Sequence, residues 1–146
     1  MCSIRTAESV CAGHPDKLAD QIADQILDDI LYDDKAARVA VEVMAAGRRI
    51  IVTGEITTNH RPRIRESVRT ALARAGYSPL GILIYVWTRR QSSDINAGVT
   101  TSLEARGGDS SAFALQGAGD QGTVYGYAPA ETPERLPLPL VLAHRI

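Results

Sequence analysis

The feature that most constrains the fold is a row of apolar residues that recur at every fourth position near the N-terminus. The members of this row are Leu18, Ile22, Ile26 and Ile30. Because an α-helix completes a turn in 3.6 residues, this spacing places them along one helix face. A second row carries carboxylates, at Asp16, Asp20, Asp24 and Asp28. The pattern predicts a helix from about Pro15 to Leu31, with a buried apolar stripe and an acidic, mostly solvated face.

The residues after this helix alternate with a period of two, which is typical of half-buried strands. Residues 39–44 and 50–55 each show this alternation. Ala46-Gly47-Arg48 between them has the composition of a turn. The two segments therefore predict a hairpin.

A second helix is predicted from Pro62 to Gly76, and the apolar run 82–87 predicts another strand. With a short strand over residues 4–10, the elements follow the order βαββαβ. This order predicts an α/β (α+β) fold with an open sheet and helices on one face. Val, Ile and Trp side chains are expected on the other face, and an apolar face of that kind must be covered.

The last third of the chain is less regular. Residues 91–122 are rich in Gly, Ser and Asp without a clear period, which is typical of a functional loop, a lid or disorder. A strand is predicted over residues 123–127, and Val141 lies near the predicted start of a further helix.

Size and charge exclude several classes of protein. The 146 residues suffice for one domain with a core, and the net charge is -1. This charge gives no electrostatic basis for nucleic acid or an anionic membrane as the main partner, and no apolar run approaches the length of a membrane span. Cys2 and Cys11 are the only cysteines, too few for a disulfide framework. A reducing, cytoplasmic location is therefore predicted.

The segment Gly13-His14-Pro15-Asp16-Lys17 opens the first predicted helix. It brings an imidazole, a carboxylate and an ammonium group to a helix N-terminus, where free N–H groups and the helix dipole favour anions. Such a cluster suits a metal–polyphosphate, because the carboxylate can take the cation and the other groups can take phosphate oxygens. The other interpretation is a capped helix with solvated charges, since five residues are a weak signal.

Glu42 and Glu55 are carboxylates within the apolar runs of the predicted hairpin. An unpaired charge in such a run is costly. Each carboxylate is therefore expected to meet a cation, a basic side chain or a bound ligand. The alternative is that both point to solvent from the polar face of the hairpin.

These motifs recur together in one known family. The segments concerned are Ala7-Glu8-Ser9-Val10, Gly13-His14-Pro15-Asp16-Lys17, Ala19-Asp20-Gln21-Ile22, Arg38-Val39-Ala40 with Glu42, Gly54-Glu55-Ile56-Thr57-Thr58, Gln91-Ser92 with Asp94-Ile95, and Gln116-Gly117-Ala118-Gly119-Asp120-Gln121-Gly122. In this order they resemble the N-terminal part of the S-adenosylmethionine synthetases, also called methionine adenosyltransferases. The resemblance covers essentially the whole chain.

The resemblance implies a role in forming S-adenosylmethionine from L-methionine and ATP, with release of phosphate and pyrophosphate. It implies that His14, Lys17 and Asp120 bind ATP, with His14 and Asp120 acting in catalysis. It also implies that Asp16 binds Mg²⁺ on the polyphosphate.

For the second substrate, the resemblance implies that Glu55 and Gln91 hold the amino acid head of methionine. Glu42 would be a ligand of an activating K⁺ ion. The residues from about 91 to 101 would form a mobile loop that closes over the site.

By the same resemblance, residues 1–100 form the N-terminal domain, and residues 101–146 form a linker and the truncated start of the central domain. Family members are much longer, and their phosphate-gripping lysines and arginine are missing here. The stretch between Gly76 and Gln91 is shorter than usual, and Ser93 stands where the family typically has proline.

Two functions remain open at this point. The chain is either a fragment or one part of a multi-chain synthetase, or a non-catalytic nucleotide- or methionine-binding module or partner of a full-length synthetase. Because family active sites lie between subunits, a homodimer or higher oligomer is expected, possibly with a complementing synthetase chain.

Overall fold

The computed structural model describes residues 4–91, 102–116 and 123–146. Its elements are α1 (Pro15–Asp33), β1 (Arg38–Ala46), β2 (Arg49–Thr57), α2 (Ile64–Arg74), β3 (Leu83–Arg89), α3 (Leu103–Arg106), α4 (Ala112–Gln116) and α5 (Leu138–Arg145). The three strands form one sheet in the order β1-β2-β3. β1 and β2 form the predicted antiparallel hairpin, and β3 runs parallel to β2. The predicted fold class, a mixed α/β domain with an open sheet, is confirmed.

The core lies between the sheet and the two long helices. The apolar stripe of α1 is buried, as predicted, and its acidic row is exposed. The largest fully buried side chains are Ile22, Ile26, Ile50, Leu72, Val52 and Val68. Packing of an amphipathic helix face on a sheet is the main source of stability in such a layer.

The sheet face away from the helices carries the predicted Trp side chain, but the predicted valines are not found there among the residues of β1. The valines of β1 pack toward the helices rather than on this face. The open face instead presents Met44, Leu83, Tyr85 and Trp87, which are all exposed. The rings of Tyr85 and Trp87 stack with centroids 5.9 Å apart.

Two predicted strands do not form. Residues 4–11 and 123–129 have no regular secondary structure. Side chains instead tie residues 4–11 to a more C-terminal part of the chain, because Arg5 pairs with Glu131 at 3.0 Å and Ser9 contacts His144 Nδ1 of α5 at 2.7 Å. A strand needs a neighbouring backbone to pair its N–H and C=O groups, and short apolar alternation does not supply that neighbour.

Within the described ranges, none of the helices combines the length and apolar character that a bilayer span requires.

Candidate substrate site

α1 begins at Pro15, directly after His14, as the sequence predicts. His14 is the N-cap, and its Nδ1 accepts a hydrogen bond from the backbone N–H of Asp16 at 3.3 Å. A neutral imidazole accepts at one nitrogen only, so this bond places its proton on Nε2. The Asp16 carboxylate lies 3.9 Å from Nδ1 and is 92% exposed. The imidazole and the carboxylate thus meet at the positive end of α1.

The chain before α1 is held by hydrogen bonds to its carbonyl groups. Lys17 Nζ donates to Val10 O at 3.0 Å, and Gln21 Nε2 donates to Ala12 O at 2.8 Å. The hydroxyl of Tyr77 donates to Gly13 O at 2.8 Å. An ammonium group carries three donors, so Lys17 retains donors for a phosphate. Sequence reasoning missed Tyr77, because no local pattern connects a residue after α2 with the turn before α1.

Glu55 lies on the open face of β2, opposite Arg89 of β3 in the parallel register. Its side chain is only 17% exposed. The Nε and Nη2 atoms of Arg89 lie 3.1 and 3.0 Å from Glu55 Oε1. Both contacts go to one oxygen, which leaves Oε2 as an acceptor. The expectation that Glu55 meets a basic side chain is confirmed. That this side chain belongs to Arg89 could be known only from the strand register.

Glu42 lies on the same open face, opposite Thr53 in the hairpin register, and is exposed. Among the described residues, no group of three or more His, Cys, Asp or Glu side chains could hold a metal ion. A single carboxylate still fits Mg²⁺ at Asp16, because that ion keeps several waters and takes its other oxygens from substrate phosphates. Glu42 likewise offers only part of an oxygen shell for a cation.

Gln91 follows β3 and is half-buried. Its Oε1 atom is buried and accepts no hydrogen bond within the part of the chain that the structure describes. A buried acceptor without a donor costs about 1–3 kcal/mol, so this oxygen favours an incoming N–H group. The predicted loop residues 92–101 and Asp120 lie outside the described residues.

One chain does not bring the two clusters together. The C-terminal end of α1 adjoins the end of β2, because the Asp34 carboxylate accepts hydrogen bonds from Asn59 N and Thr58 Oγ1, both at 2.9 Å. These bonds hold the pKa of Asp34 below its ordinary value. His14 lies at the other end of this 19-residue helix, which is about 28 Å long at 1.5 Å per residue.

Glu55 comes shortly before Thr58 along β2, and its side chain lies on the sheet face away from α1. The cluster of His14, Asp16 and Lys17, hereafter the His14 cluster, therefore lies at the opposite end and on the opposite side of the domain from Glu55. One copy of this domain therefore does not bring the predicted residues Glu55 and His14 together.

Residues 3–96 match the family profile described as "S-adenosylmethionine synthetase, N-terminal domain". The chain belongs to the S-adenosylmethionine synthetase family. Residues 115–146 match the profile of the central domain of the same synthetases. The resemblance read from the motifs is thereby confirmed.

Individual synthetases give the same result. The chain is 45% identical to the S-adenosylmethionine synthase of Nocardia farcinica, an alignment that covers 97% of this chain and 37% of the relative. It is 43% identical to that of a Synechococcus strain, with 97% and 36% covered. A solved S-adenosylmethionine synthetase from Campylobacter jejuni superposes with a TM-score of 0.68 at 30% identity, covering 91% of this chain and 33% of that one. The chain thus spans about a third of the length of these synthetases.

Proposed function

We propose that this chain supplies the N-terminal part of an active site that forms S-adenosylmethionine from L-methionine and ATP. It would act as a fragment or as one chain of a multi-chain methionine adenosyltransferase. The observation that carries the proposal is the start of α1, where the His14 imidazole, the Asp16 carboxylate and the Lys17 ammonium group share one helix N-terminus. Family membership gives the transferase class.

The His14 cluster is the proposed half-site for ATP. The Nε2–H of His14 donates to the phosphate chain next to the reacting ribose carbon, and Lys17 binds further phosphate oxygens. Asp16 holds Mg²⁺, which when bound neutralises charge on the polyphosphate. A thioether sulfur is a neutral nucleophile and needs no general base, so these residues act by alignment and by stabilising the leaving group.

The end of β2 and β3 is the proposed half-site for methionine. Among the described residues, Glu55 Oε2 and Gln91 Oε1 are left there as acceptors, and both suit the ammonium group of an amino acid. Arg89 fixes the orientation of Glu55. Glu42 would contribute to a K⁺ site, and Asp120 would complete the pocket for methionine and adenosine.

A second copy or a complementing chain would complete the site, because one chain holds the two half-sites far apart. The open sheet face supports a homodimer, since the stacked Tyr85 and Trp87 and the exposed Met44 form an apolar surface. The same proposal includes a domain boundary between residues 100 and 101. It also includes a loop at about residues 91–101 that closes over the site and excludes water. The proposed location of the protein is the cytoplasm.

Calorimetric titration of the chain with Mg–ATP tests the first half-site. Asp16→Asn should weaken binding at least about tenfold, as expected for loss of a ligand to the cation. Asp24→Asn is the matched control, because Asp24 is an exposed carboxylate further along α1. Equal affinity of the two variants would contradict the assignment of Asp16.

Titration with L-methionine in the presence of Mg–ATP tests the second half-site. Glu55→Gln should reduce methionine binding, whereas Glu104→Gln, at an exposed site on α3, should not. No binding of either substrate at millimolar concentration would refute the ligand-binding role. The chain would then be an interaction partner of a full-length synthetase.

A further inference from the structure

Four arginines line one groove beside the N-terminal part of α2. The groove has a volume of about 630 Å³. Its four basic residues, hereafter the arginine groove, are Arg61, Arg63, Arg65 and Arg69. Val86 and Thr88 of β3 also line it. This groove lies at the end of the domain away from His14, because α2 begins shortly after β2 ends.

The charges in this groove are poorly balanced. Glu66 is the one acidic residue among those that line it, and its carboxylate lies 3.6 Å from Arg63. Within the described ranges, the side chains of Arg61, Arg65 and Arg69 have no hydrogen-bond or ion-pair partner, and all three residues are exposed. Like charges four residues apart destabilise a helix, and Arg65 and Arg69 have this spacing. A bound anion would relieve the repulsion.

The end of α2 adds to the positive field. Arg63 is its N-cap and makes no side-chain capping bond. The first N–H groups of α2 therefore have no side-chain acceptor at the cap, and the helix dipole places partial positive charge beside the guanidinium groups. Arginine forms paired hydrogen bonds with phosphate oxygens, so this arrangement suits a phosphate-bearing ligand.

We propose that the arginine groove binds a compact oligophosphate anion at a site separate from the His14 cluster. The four guanidinium groups match the charge of a triphosphate chain, and residues of β3 contribute to the lining of the groove. The net charge of the whole chain is -1, so the basic character is local. A local patch favours a small anion over an extended nucleic acid.

Titration of the full chain with inorganic tripolyphosphate, without magnesium and at fixed ionic strength, tests this inference. The double variant Arg65→Gln/Arg69→Gln should bind at least about tenfold more weakly, which corresponds to the loss of charge-assisted hydrogen bonds. Lys35→Gln/Arg135→Gln makes the same charge change at two exposed residues outside the groove, and it should bind like the parent chain. A parallel titration with ATP shows whether the triphosphate alone or the whole nucleotide is recognised.

A thermal-unfolding series provides the second readout. Tripolyphosphate should raise the melting temperature of the parent chain but not that of Arg65→Gln/Arg69→Gln. Without ligand this double variant should melt no lower than the parent, because glutamine has a similar helix propensity and the repulsion is removed. An unchanged melting temperature without ligand would show that the double variant is folded and that only anion binding is lost.

Three outcomes would overturn the inference. The first is an absence of tripolyphosphate binding, and the second is equal weakening in both double variants, which indicates a general charge effect. The third is binding that His14→Ala abolishes while Arg65→Gln/Arg69→Gln leaves it intact. In that case the anion binds at the His14 cluster, and the proposed function stands without the second site.

Discussion

Gly54 is the position where a single added methyl group should harm the fold most. It lies in the central strand β2 with φ +129°, a conformation that side-chain-bearing residues rarely adopt. A Cβ atom there would stand 2.1 Å from the carbonyl oxygen of Ala40 and 2.9 Å from Val41 Cα. Both atoms are backbone of β1, so rotation of a side chain cannot relieve the overlap.

The expected destabilisation follows from these contacts. Backbone strain contributes about 1–3 kcal/mol, and forcing atoms into a packed layer contributes about 1–3 kcal/mol more. Alanine recovers about 0.4–1 kcal/mol by restricting the unfolded chain. Gly54→Ala should therefore lower the free energy of unfolding by about 3 kcal/mol, a large fraction of the stability of an ordinary domain.

Two other glycines provide a graded control. Gly47 has φ +57° with nothing within 4 Å of the added Cβ, so Gly47→Ala carries strain without overlap. Gly126 also has open space, and its φ lies outside the left-handed region, so Gly126→Ala should be close to neutral. Urea unfolding followed by far-UV circular dichroism gives the three free energies. Equal losses for Gly54→Ala and Gly47→Ala would refute the reasoning from overlap.

Three further predictions concern the core, the open face and pH. Ile22→Ala should lower the free energy of unfolding in urea by about 2–5 kcal/mol, because Ile22 is completely buried in the core. A smaller decrease than that caused by Leu80→Ala, at an exposed residue, would contradict this prediction. Trp87→Glu should convert the expected dimer to monomers in sedimentation velocity at micromolar concentration, and a monomeric parent chain would disprove the dimer. The folded-state pKa of Asp34 is lowered, so its contribution to stability is present above the unfolded pKa and is lost as pH falls through the folded value. Asp34→Asn should therefore flatten the acid side of the stability–pH curve, and an unchanged curve would exclude this role.

Sequence reasoning succeeded where the signal was local. The four-residue stripe of α1 predicted the helix to within two residues of its observed end at Asp33. Proline at the first helical position also fixed its start. The hairpin and β3 followed from alternation and from a β-branched run. The second helix was placed too early, since Pro62 precedes the N-cap residue Arg63.

Non-local pairing set the limit of prediction. The parallel register that places Arg89 beside Glu55 and the hydrogen bond from Tyr77 to Gly13 join distant parts of the chain. Residues 4–11 have the composition of a strand, but no strand partner forms for them in the described structure. The motifs named the residues of the two proposed half-sites, whereas the separation of His14 from Glu55 by the length of α1 could not be predicted from them.

The central claim is that two copies combine to form one substrate site. The direct test is calorimetric titration of Mg–ATP with methionine into His14→Ala, into Glu55→Gln, and into a co-expressed mixture of both. In a mixed dimer, one site carries both substitutions and the other carries neither. Random pairing makes about half of the dimers mixed, so the mixture should recover about a quarter of the parent binding sites. Each variant alone should recover none. A mixture that binds no better than the separate variants would contradict the account.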